Sequence, residues 1–160
     1  MDMNQMTHYM GLLATNQPWN LIIFMAIPVI MAETLVTTEF FIVFRRLTSG
    51  SLRSFNKWLG VVLGLYFTGI FFYLVTTTVP TIEWNTWVDF VAVWAYLLGV
   101  VPLLAIALME LGLIFRQGSD EEKMRWHFIL VAVFLVVAHV AMIFGMVNPS
   151  ILSGDYGMKM

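Results

Sequence analysis

Long apolar runs alternate with short polar connections along the chain. Four windows each exceed the length of about 18 residues that marks a membrane-spanning helix. They cover residues 21–44, 59–79, 88–115 and 128–147. The third window contains Gly99 and Pro102, which predict a tilt or a kink. The pattern predicts an all-α integral membrane four-helix bundle, with residues 1–18 as an outer N-terminal arm or surface helix and residues 19–160 as one transmembrane domain.

The basic residues predict how the chain crosses the membrane. Seven of the eight Lys and Arg residues lie within residues 45–57 and 116–125. Because cytoplasmic loops carry the excess of Lys and Arg, we predict both stretches in the cytoplasm and both termini on the outer side. The first apolar run is too long for a signal peptide and is followed by Arg45 and Arg46, so no cleaved signal is expected. The pattern favours a multi-pass protein of a prokaryotic inner membrane.

The composition narrows the classes of function. The chain is 60% hydrophobic and 11% charged, and it contains no cysteine. The lack of cysteine excludes disulfides, thiolate metal sites and thiol catalysis in this sequence. There is no basic patch typical of nucleic-acid binding, and no phosphate-binding loop or nucleophile motif. The expected partner is therefore the lipid bilayer, with other membrane subunits or a second copy of the chain, and a self-contained enzyme is not expected.

A weak internal repeat relates the two halves of the chain. The segment from Glu39 to Arg45 aligns without gaps on the segment from Glu110 to Arg116. One interpretation is two duplicated helical hairpins in parallel orientation, related by an axis along the membrane normal. This would place Glu39 and Glu110 at one depth on opposite sides of the axis. The alternative is that any two membrane hairpins share apolar residues that end in arginine.

Gly60 and Gly64 form a small-xxx-small motif in the second run. Such spacing lets two helices approach closely in a membrane. The motif predicts either close packing inside the bundle or self-association through this face.

Three glutamates lie within the predicted spans. Glu33 is near the middle of the first, while Glu39 and Glu110 lie closer to the basic ends. A charged side chain at mid-membrane costs at least about 2.5–3.5 kcal/mol, so each needs a partner or a neutralising proton. We predict a proton or ion relay, in which Glu39 and Glu110 share a proton, bridge a cation, or pair with His127 or an arginine. The alternative is that all three are protonated hydrogen-bonding groups of the fold.

His139, Met142 and Met146 form one stripe on the fourth helix. Most methionines belong to the predicted outer half or the outer termini, where His8 could also reach. They are Met1, Met3, Met6, Met10, Met25, Met31, Met142, Met146, Met158 and Met160. Imidazole with thioether sulfur suits Cu(I), and a His/Met pair suits haem iron, so copper or haem b is the predicted cofactor. The alternatives are a methionine stripe that only packs and a histidine bonded to Glu33 or a tyrosine.

Tyr66 and Tyr73 share a face of the second run, and Tyr96 lies in the third. We predict that these phenols line a cavity or hydrogen-bond the buried acids.

Three functions follow from these residues. The first is an accessory or cofactor-holding subunit of a membrane redox or transition-metal system, with His139 and the methionines as ligands. The second is a proton- or cation-coupled transporter of small solutes that works as a homo-oligomer through the buried glutamates. The third is a structural or assembly subunit without chemistry.

Overall fold

Most of the described part of the chain is helical. A computed structural model describes residues 7–46, 50–82, 84, 87–116 and 118–147, and no strand occurs among them. Four helical segments there are long and apolar enough to cross a membrane, as predicted for a multi-pass membrane protein. They are Trp19–Phe44, Ser51–Thr81, Trp87–Glu110 and Glu121–Met146.

The described residues form seven α-helices, two π-helical turns and one 3₁₀ turn, and all but the first α-helix belong to these spans. The α-helices are α1 (His8–Ala14), α2 (Trp19–Leu21), α3 (Ile27–Phe44), α4 (Ser51–Tyr73), α5 (Trp87–Leu98), α6 (Val100–Glu110) and α7 (Asp120–Met146). A π-helical turn, Ile22–Ala26, joins α2 to α3, and a second, Leu74–Thr78, extends α4 into the 3₁₀ turn Val79–Thr81. We call the end that carries Gly50, Gly112 and Lys123 the basic end of the bundle.

Two helices begin earlier than the apolar windows predict. α4 starts at Ser51 and α7 at Asp120, before the predicted starts at residues 59 and 128. Hydropathy detects only the apolar part of a helix, whereas the helix itself continues through polar residues until it meets a cap. For α7 that cap is a capping box. The Ser119 hydroxyl accepts from the backbone N–H of Glu122 at 3.2 Å, and the Glu122 carboxylate accepts from the N–H of Ser119 at 3.1 Å.

The third span is shorter than predicted and is divided. It ends at Glu110 and not at residue 115, because Gly112 adopts a φ of 75° and its N–H turns back to the Met109 carbonyl at 3.0 Å. A glycine in this conformation is a common helix terminator. The division falls at Gly99, between α5 and α6. Pro102 has no N–H for the carbonyl four residues before it, which explains why the helix is interrupted there.

The first span contains two carbonyl groups that its own helix does not use. The N–H of Ile27 bonds to the Ile22 carbonyl and so skips that of Ile23, and Pro28 has no N–H to give to Phe24. Two tyrosine hydroxyls take these places: Tyr66 donates to the Ile23 oxygen at 2.9 Å and Tyr96 to the Phe24 oxygen at 2.6 Å. Freed backbone carbonyls therefore accept these two hydroxyls, and bonds from the phenols to the buried acids stay a prediction.

α4 and α6 pack closely through the glycine motif. A Cβ atom added to Gly64 would lie 2.5 Å from the Leu103 carbonyl oxygen and 2.6 Å from the Ala107 Cβ. One added to Gly60 would lie 3.0 Å from an Ile106 methyl. Both glycines are buried. The motif therefore packs the inside of the bundle, which is the first of the two predicted alternatives, and self-association of the chain stays a prediction.

α1 packs across the end of the bundle opposite the basic end. Leu13 is buried, and the Thr7 hydroxyl donates to the Gly145 carbonyl near the end of α7. The Asn20 side chain donates to the Leu12 carbonyl at 3.0 Å. These contacts hold the described part of the N-terminal segment against α5 and α7.

We expect Gly64→Ala to lower the free energy of unfolding by about 1–3 kcal/mol, because α4 must move away from the Leu103 backbone. Gly69→Ala is the matched control, since it lies on the same helix and an added Cβ there meets nothing within 4 Å. This control should be neutral or stabilising by up to about 1 kcal/mol. Denaturant titration in detergent micelles measures both. Equal stability of the two variants would contradict the packing described here.

Candidate functional site

Three ionisable side chains from three helices meet near the basic end. His127 of α7 lies between Glu39 of α3 and Glu110 of α6. Its Nδ1 is 2.8 Å from the Glu39 Oε2, and its Nε2 is 3.7 Å from the Glu110 Oε1. Glu39 and His127 are each only 3% exposed. Of the alternatives predicted for Glu39 and Glu110, the structure shows pairing with His127, whose ring lies between the two carboxylates.

Two atoms of this cluster lack a hydrogen-bond partner within the described part of the chain: the Glu39 Oε1 and the His127 Nε2. Leaving a buried polar atom unpaired costs about 1–3 kcal/mol. When a neutral His127 ring donates its Nδ1 proton to Glu39, Nε2 carries a lone pair and can only accept. In that state the cluster can receive a hydrogen-bond donor or a cation from outside.

Asn56 of α4 completes the buried wall beside this cluster. Its side-chain amide donates to the Leu35 carbonyl at 3.1 Å and to the Thr38 hydroxyl at 2.8 Å. The residue is 6% exposed. Sequence reasoning did not select it, although an asparagine buried within an apolar helix is a signal that calls for a partner.

A cavity of about 460 Å³ opens on this cluster. We call it the basic-end cavity. Its charged and amide-bearing lining residues are Glu39, Arg53, Asn56, Lys57, Glu110, Lys123 and His127. Of these lining residues, Glu39, Asn56 and His127 are buried, whereas Lys57 is exposed. Its volume lies in the range of about 300–1,000 Å³ that is usual for small-molecule sites.

A second cavity, of about 160 Å³, is lined by residues of all four spans. We call it the central cavity. Its lining is mostly apolar. The lining side chains that carry an ionisable, hydroxyl or thioether group are those of Met25, Glu33, Tyr96, His139 and Met142. Glu33 and His139 thus line the same cavity, together with Met25 from the π-helical turn of the first span.

His139 is held in one orientation by its own helix. Its Nδ1 donates to the Leu135 carbonyl at 2.6 Å, so in a neutral ring Nε2 is the free acceptor and the available ligand atom. Glu33 and His139 are both exposed on the side of the bundle. In a membrane this side faces lipid or another protein.

Several predicted site residues do not reach either cavity. Met146 is 70% exposed and does not line the central cavity, so the predicted stripe of His139, Met142 and Met146 is divided. Tyr73 is exposed and its ring stacks on Phe24. The Tyr66 hydroxyl donates its hydrogen bond to the Ile23 carbonyl. The side chain of His8 lies outside the described residues.

The three acids of the predicted relay do not line one cavity. Glu33 belongs to the central cavity, while Glu39 and Glu110 belong to the basic-end cavity. Among the described residues, no group of three His, Asp or Glu side chains is placed to hold a metal ion. Any metal bound by the described part of the chain would therefore rely on other donors, such as methionine sulfur.

Comparison with known proteins identifies a family. The family of unknown function DUF6803 matches residues 3–160, so the chain belongs to this family. No curated protein and no solved structure matches the chain.

We expect Glu39→Ala to lower the free energy of unfolding by about 1–3 kcal/mol, because it leaves the buried His127 Nδ1 without its acceptor. Glu33→Ala is the matched control: it is the same substitution on the same helix, at an exposed carboxylate. This control should not destabilise the fold. Thermal and denaturant unfolding of both variants in the same detergent provides the measurement. A Glu39 variant as stable as the control would argue against the buried pair.

Proposed function

We propose that this member of the family is an accessory or cofactor-holding subunit of a membrane redox or transition-metal system. The observation that carries this proposal is the central cavity, where an imidazole, two thioethers and a carboxylate come together. They belong to His139, Met25, Met142 and Glu33. Nitrogen with two soft sulfur donors is the set that Cu(I) prefers.

The size of the central cavity favours copper over haem as the group that this chain could hold by itself. Its volume of about 160 Å³ is below the range of about 300–1,000 Å³ usual for organic ligands. A copper ion needs only the ligand atoms around it. A haem would need a second protein to complete the pocket, with His139 as one axial ligand.

The exposed position of Glu33 and His139 supports the role of a subunit. A charged group that faces hydrocarbon at mid-membrane costs at least about 2.5–3.5 kcal/mol. A partner helix over this side of the bundle would remove that cost and would close the open side of the cavity. Under this proposal His139 Nε2 and the sulfurs of Met25 and Met142 are the ligands. The Leu135 carbonyl orients the ring, and Glu33 balances charge or passes a proton.

The orientation and the origin of the bundle belong to the same proposal. We propose that the basic end faces the cytoplasm, as the lysine and arginine distribution favours. We also propose that the two hairpins arose by duplication. The approach of Glu39 and Glu110 to the same histidine from different helices supports this origin.

A second candidate function is favoured by the basic-end cluster. Glu39, His127 and Glu110 are titratable groups in contact with a polar cavity. Buried carboxylates linked to a histidine are typical of proton relays in transporters. We propose proton- or cation-coupled transport of a small solute, by an oligomer of this chain, as the alternative to the metal-binding role.

The metal-binding proposal predicts that His139→Ala and Met142→Leu each remove most of the copper, or the haem absorbance, from protein purified from its native membrane. Each variant deletes a ligand atom of the central cavity. Met146→Leu is the matched control on the same helix and should keep the full metal content. Elemental analysis and an absorbance spectrum measure this. Unchanged content in the His139 variant would contradict the proposal and would favour a structural or assembly role.

The transport proposal predicts that Glu39→Gln slows proton entry into proteoliposomes by at least about tenfold, because an amide cannot carry a proton. A trapped pH-sensitive dye reports entry after a membrane potential is imposed. Glu121→Gln, at an exposed position outside the basic-end cavity, is the control and should behave as the unmodified protein. Equal rates in all three proteins would exclude Glu39 from a proton pathway.

A further inference from the structure

The buried wall of the basic-end cavity offers hydrogen-bond acceptors. Both amide protons of Asn56 are already donated to Leu35 and Thr38, so this side chain can give the cavity only its carbonyl oxygen. The Glu39 Oε1 is unpaired, and a carboxylate only accepts. His127 Nε2 is also unpaired, and it accepts when the ring is neutral and Nδ1 donates to Glu39. Glu110 adds a further carboxylate, 3.7 Å from Nε2.

The more exposed part of the same lining carries the opposite charge. Lys57 of α4 and Lys123 of α7 both line the cavity, as does Arg53. Ammonium and guanidinium groups are donors without acceptor capacity. The cavity thus has an acidic, accepting wall in its buried part and a basic, donating part near the surface.

We infer that the basic-end cavity binds a small amphoteric amine, in which a primary ammonium group is joined to a phosphate or carboxylate group. The ammonium group has three N–H donors, which meet the acceptors of Glu39, His127 and Glu110. The anionic group meets Lys57 and Lys123. Both unpaired buried atoms gain a partner in this arrangement, which offsets the cost of leaving them unpaired.

A ligand that carries charge of only one sign fits the acidic wall and the basic part of the cavity less well. A simple anion placed against the buried wall would face two carboxylates, and a simple cation would leave the lysines without a counter-charge. Like charges brought close together without screening water repel strongly. The cavity volume of about 460 Å³ also exceeds what one ion fills.

The chemistry of this ligand has two possible sources. A free solute could enter from the aqueous side at the basic end. A phosphatidylethanolamine headgroup carries the same ammonium and phosphate pair and lies at the depth where the helices meet the membrane surface. The basic-end cavity shares no lining residue with the central cavity. The binding of this ligand can therefore be tested separately from the metal-binding proposal.

The test uses the full chain in phosphatidylcholine nanodiscs, because the choline headgroup has no N–H donor. Calorimetric titration with O-phosphoethanolamine and with β-alanine is compared with ethanolamine, inorganic phosphate, acetate and Zn²⁺. We expect at least one amphoteric probe to bind about tenfold more tightly than ethanolamine, inorganic phosphate or acetate, each of which carries charge of one sign only. Mass spectrometry of the chain purified from mixed membranes tests whether phosphatidylethanolamine is retained over phosphatidylcholine.

Binding of a free amphoteric probe assigns the site to a solute, and selective retention of phosphatidylethanolamine alone assigns it to the headgroup. The inference is overturned if neither occurs, if a singly charged probe binds as tightly as the amphoteric one, or if Zn²⁺ binds in its place. Lys57→Ala should weaken probe binding by about tenfold, whereas Arg125→Ala, which removes an exposed charge outside the cavity, should not. Glu39→Gln should weaken it as well. Because Lys57 is exposed, its variant keeps the test decisive even where Glu39→Gln fails to fold.

Discussion

Polar groups buried among apolar helices must find partners inside the protein, because hydrocarbon offers none. This constraint organises the bundle. Pro28 and the π-helical turn before it free the carbonyls of Ile23 and Phe24, and hydroxyls of two other spans bond to them. These bonds tie the first span to the second and third at a depth where apolar contacts alone would let the helices slide.

The same constraint makes the exceptions informative. The Glu39 Oε1 and the His127 Nε2 are buried atoms for which the described residues supply no partner, and both belong to the lining of one cavity. Groups of this kind are retained in folds where something else meets them, as strained or unsatisfied sites often serve function. Glu33 and His139 line the central cavity and are exposed on the side of the bundle. In a membrane, these polar side chains would face hydrocarbon unless another molecule covered them.

Close helix packing and the chemistry of the basic end are linked through one position. Gly60 lets α4 approach α6, and a Cβ added there would also lie 3.5 Å from the His127 Nε2. A larger residue would therefore reach the unpaired nitrogen as well as separate the helices. The small-xxx-small spacing that brings the spans together also keeps this side of the imidazole ring clear.

The sequence by itself determined the properties that depend on local physics. Hydropathy over about 18 residues identified four spans. Glu39, Glu110, Glu33 and His139 stood out because charged and imidazole groups are costly in an apolar run. Only the tertiary structure decided which of them meet, because the order and rotation of helices depend on packing between distant segments. It joined Glu39 and Glu110 through His127, added Asn56 and Met25, and directed Tyr66 and Tyr96 to backbone carbonyls. It also left Met146 outside the central cavity, since a stripe at helical spacing does not by itself specify which of its residues face a neighbouring helix.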